Sequence, residues 1–101
     1  MRTVSKPKRH HVEGVINDAM SEKWDQAKIN TLDKALRLKF PRPQDQTIIS
    51  RIVDVAGDAS NERAEVEEGS GSGSDKDWRA YERLASRANR LIKKLPWGKR
   101  R

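Results

Sequence analysis

Apolar residues recur along this chain at spacings of three and four, the pattern of helices that bury one face. The first run is Val12, Val15, Ile16, Ala19 and Met20. Before it, residues 1–11 show no apolar periodicity and are interrupted by Pro7, so they read as a flexible arm. Gly14 weakens the first helix by about 1 kcal/mol relative to alanine. Ser21 can cap a second start before Trp24, and Ile29, Leu32, Leu36 and Phe40 then continue the period, predicting a second helix over about residues 22–39. The pattern alone leaves open whether the two helices are continuous.

Phe40-Pro41-Arg42-Pro43 closes that helix, because proline restricts the residue before it and cannot extend the hydrogen-bond ladder. Asp45 or Gln46 opens a third helix, Asp45 being the better N-cap, with Ile48, Ile49, Ile52, Val53 and Ala56 as its stripe and Gly57 placed for its C-terminal cap. The β-branched run invites a strand, but alternation fails at Ile48-Ile49 and Ile52-Val53, whereas helical spacing holds. Residues 58–68 have helix-forming composition but almost no apolar face, so they either fray or extend the third helix. Gly69-Ser70-Gly71-Ser72-Gly73-Ser74 follows as a flexible coil. Its regularity reads as an engineered joint, with a natural Gly/Ser linker as the alternative.

A fourth helix is predicted over 75–95, capped by Asp75 or Asp77 and ended by Leu95-Pro96. At 100° per residue, Trp78, Tyr81, Leu84, Ala85, Ala88, Leu91, Ile92 and Leu95 occupy an arc of about 140°, while Arg79, Arg83, Arg87, Arg90 and Lys94 occupy about 80° opposite. One stripe buries and the other presents cations. The expected fold is therefore all-α: a small bundle of three N-terminal helices (12–57) that receives a basic amphipathic helix through the linker. The core nominated is Val15, Ile16, Met20, Trp24, Leu32, Leu36, Phe40, Ile49, Ile52, Val53, Trp78, Tyr81, Leu84, Leu91 and Ile92. Trp78, Tyr81, Leu84, Ala88, Leu91 and Ile92 are the docking residues of the fourth helix.

Charge sharpens this picture. The 101 residues carry a formal net charge of +7 and only 34% hydrophobic residues. Residues 1–68 hold 12 basic and 12 acidic side chains, whereas residues 69–101 hold 10 and 3. Within the first part the arm is basic (Arg2, Lys6, Lys8, Arg9) and residues 58–68 are acidic. Such asymmetry points to an anionic partner for the basic segments, or to internal neutralisation by the acidic stretch. The expected anion-binding set is Arg79, Arg83, Arg87, Arg90, Lys94, Lys99, Arg100 and Arg101, with Lys6, Lys8 and Arg9 from the arm. Guanidinium groups stay charged and match phosphate geometry, so nucleic acid, DNA or RNA, is the expected partner. A protein partner is the rival: the fourth helix is then a tethered ligand of the first three, and the tether raises its effective concentration. A membrane-surface helix fits less well, since the apolar arc is needed for the core.

Other chemistry is thin. His10-His11 cannot bind one metal together from adjacent helical positions, and there is no cysteine. Asp18, Glu22 and Asp25 have no partner base, nucleophile or phosphate loop, so neither an enzyme, a cofactor nor a metal is expected. In Pro96-Trp97-Gly98 the indole could stack on a base or staple the helix end. A helix-turn-helix reading of the second and third helices is weak: Gln46, Ser50 and Arg51 could read bases, but Asp45 and Asp54 oppose phosphate. Mean hydropathy of -0.99, no apolar run near 18 residues and no signal-like leader read as a soluble intracellular protein, cytoplasmic or nucleoid/nuclear. A homo-oligomer is compatible with so thin a core.

Overall fold

The structure, a computed structural model, describes residues 8–68 and 75–97. It contains four helices, α1 (Arg9–Ser21), α2 (Gln26–Lys39), α3 (Pro43–Glu68) and α4 (Asp75–Lys94), and no strand among the described residues. The all-α class expected from the 3.6-residue period is thus observed. Lys6, the Gly/Ser stretch 69–74 and Lys99, Arg100 and Arg101 lie outside the described residues.

Local chemistry moves several boundaries. α1 begins at Arg9, inside the expected arm, where Arg9 Nε lies 3.8 Å from Glu13 Oε2 one turn on. α1 and α2 are separate helices. Ser21 is no cap: it ends α1, and its hydroxyl donates to the Asn17 carbonyl. The cap of α2 is Asp25, whose Oδ1 accepts from the amides of Ala27 and Lys28. α3 starts at Pro43, where a missing N–H costs nothing. Asp45 consequently sits inside the first turn rather than capping it. Its carboxylate is buried and 3.6 Å from Arg42 Nε.

Gly57 does not stop α3, which continues to Glu68. A glycine ends a helix when the backbone turns left-handed there, and Gly57 stays helical. Its missing side chain instead faces the Trp24 indole, which lies 3.9 Å from where a Cβ would stand. The extension past Gly57 is anchored by Ala59 and Val66, both buried.

α3 and α4 share the most extensive interface, and they run antiparallel. Late in α3, Arg63 lies over the Trp78 and Tyr81 rings at the start of α4. At the other end, Phe40 before α3 meets Trp97 beyond α4 edge-on, with ring centroids 4.9 Å apart. α1 packs on both of these helices, and α2 covers α3. One buried cluster joins all four: Val12, Ile16, Ile29, Leu36, Ile52 and Ile92 are among its members. Each fully buried side chain of this size contributes about 1.5–3 kcal/mol.

The nominated core needs correction at its edges. Val15, Trp24, Val53, Tyr81 and Leu84 are only half-buried against the cluster, and Trp78 is half-buried away from it. Val12, Ile29, Val55, Ala56, Ala59, Val66 and Leu95 are buried but were not nominated. The hairpin explains part of this. Trp78 and Tyr81 lie against Arg63 in the late turns of α3, while Leu91, Ile92 and Leu95 are buried in the shared cluster, beyond the Asn17–Asn89 contact with α1.

Candidate nucleic-acid interface

The candidate interface is built on α4 because burial there is one-sided. Ala88, Leu91, Ile92 and Leu95 are buried, and Trp78, Tyr81, Leu84 and Ala85 are half-buried. Arg79, Arg83, Arg87, Arg90, Lys93 and Lys94 are exposed. At a 1.5 Å rise per residue, the row from Arg79 to Lys94 extends over about 22 Å. Among the described residues the ion pairs are Arg9–Glu13, Arg37–Asp33, Arg42–Asp45 and Arg63–Glu67, none of which includes a cation of this row.

Two contacts hold the row in place. Asn17 of α1 and Asn89 of α4 exchange amide hydrogen bonds: Asn17 Nδ2 donates to Asn89 Oδ1 at 2.9 Å, and Asn89 Nδ2 donates back to Asn17 Oδ1 at 3.0 Å. Their remaining N–H groups donate to the carbonyls of Glu13 and Ala85. Nothing in the sequence period singled out this pair. Trp97 closes the helix end, donating from Nε1 to the Ile92 carbonyl at 2.7 Å. The staple alternative for Trp97 therefore describes its geometry.

The tertiary arrangement makes the row electrostatically uneven. The turns of α3 that meet the start of α4 through Arg63, over Trp78 and Tyr81, are the acid-rich ones (Asp58, Glu62, Glu65, Glu67), with Glu67 paired to Arg63 itself. The far end has a different neighbour. Lys39, the last residue of α2, places Nζ 5.7 Å from the Phe40 ring centroid and 5.9 Å from that of Trp97. Arg87, Arg90, Lys93, Lys94 and Lys39 therefore form the cationic pole. Lys39 and Lys93 were not among the expected residues, and only the docking of Trp97 on Phe40 brings Lys39 to this end.

Of the basic arm, Lys8 and Arg9 are exposed at the start of α1, with Arg9 engaged by Glu13. The helix-turn-helix reading loses two of its three readers. Gln46 accepts from Arg37 Nη1 and donates to the carbonyls of Arg37 and Phe40, while Ser50 Oγ accepts from Arg37 Nη2 at 2.8 Å. Arg37, also held by Asp33, ties α2 to α3. Arg51 is left exposed.

A cleft of about 510 Å³ opens at the α1–α2 connection, where Asp18, Glu22 and Asp25 face Lys23 and Lys28 around Trp24. Its lining is mixed in sign. Among the described residues, no three His, Cys, Asp or Glu side chains cluster in a way that could hold a metal ion, and no helix is long and apolar enough to cross a membrane. No family model, curated protein or solved structure matches this chain.

Proposed function

We propose that this chain is a small nucleic-acid-associated binding protein, a regulator or an assembly factor, whose α4 lays its cationic face on the phosphate backbone. One observation carries the reading: a row of exposed cations runs about 22 Å along a helix whose opposite face is buried. Exposed helix faces usually mix signs for solubility, whereas this row has Glu82 as the only acid beside it in the body of the helix. The pole formed with Lys39 adds a cation from a second element. Binding of this kind is dominated by counterion release, so affinity falls steeply with salt.

The test is a fluorescence-anisotropy titration with DNA and RNA at 50 and 200 mM salt. If about three to five phosphates are neutralised, binding weakens ~40- to ~500-fold between those conditions. The triple variant Arg83→Glu/Arg87→Glu/Arg90→Glu keeps its helical circular dichroism and loses the binding. Absence of binding at 50 mM salt would end this reading.

A second reading is favoured by a different observation. The buried residues of α4 belong to the same cluster as those of α1–α3, and a three-repeat Gly/Ser stretch separates them in sequence. On that reading the protein is an interaction module in which a helical receptor holds a tethered basic helix.

A further inference from the structure

We infer that the α4 surface takes a double-helical phosphate backbone, bound without regard to sequence, rather than a single strand; this rests on the nucleic-acid reading above. Single-strand binders combine a basic groove with aromatic rings on which successive bases stack. This chain has five aromatic residues, three Trp, one Tyr and one Phe. All five have contacts within the molecule, and none lies on the cationic arc of α4. Phe40 and Trp97 meet edge to face with the Lys39 ammonium over both, and the Trp97 N–H is held by Ile92. Trp78 and Tyr81 meet at 6.1 Å, nearly perpendicular, with the Arg63 guanidinium over both. Trp24 bonds Gln26 and lies against Gly57. On α4, moreover, both rings lie on the arc opposite the cations.

Three candidate base-edge readers, Asn89, Gln46 and Ser50, are engaged as well. Side-chain amides that could pair with adenine must offer a free donor and acceptor. Asn89 uses both N–H groups and its oxygen in the bonds to Asn17 and Ala85. Gln46 and Ser50 are held by Arg37. Arginine can read guanine only if its helix enters the major groove. What remains is a row of exposed cations carried on a helix that packing holds in place. A duplex presents phosphates at fixed spacing, so little chain entropy is lost, whereas a single strand would have to be ordered.

The experiment uses the whole chain at 50 mM salt, with two duplexes of about 20 base pairs and unrelated sequence, and a thymidine single strand of equal length. Tryptophan emission is recorded alongside anisotropy. Expected are affinities for the two duplexes within about threefold, a single strand weaker by ~tenfold or more, and unchanged tryptophan emission, since no ring stacks. A single strand bound as tightly as the duplexes, or quenched emission, overturns the inference and leaves the nucleic-acid reading standing. A preference of ~tenfold or more for one duplex overturns sequence independence. No binding of any probe overturns the function itself, a separate and recognisable result.

Discussion

Gly14 lies in the interior of α1, exposed, with nothing within 4 Å of where a Cβ would stand. A helical glycine loses more backbone entropy on folding than alanine and gains nothing from packing here. Gly14→Ala should therefore stabilise the protein by about 0.5–1 kcal/mol, or roughly 2–8 °C in melting temperature for a domain of this size. Thermal denaturation by circular dichroism checks it, and a lowered midpoint would mean that α1 is less regular than described. Gly57 differs in being half-buried, with the Trp24 indole at ordinary contact distance. Leu38, exposed at 83%, is a lone apolar residue on α2, and single exposures of this kind are normal.

At the scale of elements, the Asn17–Asn89 exchange sets how α1 and α4 register. The two amides each give and accept one bond from the other, and replacing one leaves the other short of a donor and an acceptor. Asn17→Ala should cost about 1–3 kcal/mol. The double replacement Asn17→Leu/Asn89→Leu should cost far less than the two single changes together, while loosening the register that this half-buried polar pair imposes. A double-mutant cycle in urea measures the coupling, and additive single effects would show that the pair does not act as a unit. Cations near helix ends have a second role at this scale. Lys93 and Lys94 in the last turn of α4, like Arg37 and Lys39 in that of α2, offset the negative end of the helix dipole. Reversing Arg83, Arg87 and Arg90 avoids those terminal lysines and so separates binding from helix stability.

For the whole molecule, the decisive fact is that one cluster spans all four helices. Leu91, Ile92 and Leu95 of α4 are buried in it with Ile16 and Ile52, so removing α4 exposes apolar surface that α1–α3 cannot cover alone. A chain ending at residue 68 should melt at a much lower temperature or oligomerise, and adding a peptide of residues 75–101 should restore the original midpoint. Calorimetry with sedimentation measures both. A monomeric 1–68 with an unchanged melting temperature would show that α4 contributes nothing to the core. Restoration in trans would favour the receptor–ligand reading, and the salt-dependent titration would still decide whether the same helix binds nucleic acid.

The sequence by itself determined the elements and the two-sided character of α4. Apolar spacing and alternating arcs are properties of one helix, and the proline pair marks the break before α3 regardless of what packs nearby. The all-α class and the cationic row were readable for that reason. Only the tertiary structure decided how far α3 runs, since Gly57 reads as a stop until the Trp24 indole is seen lying against it. It also decided the depth of the core, where Val12 is fully buried and Trp78 only half-buried. The pairing of Asn17 with Asn89, the engagement of Gln46 and Ser50 by Arg37 and the arrival of Lys39 at the end of α4 depend on partners distant in sequence. Helical periodicity reports which side of an element is apolar; it carries no information about which element will cover it.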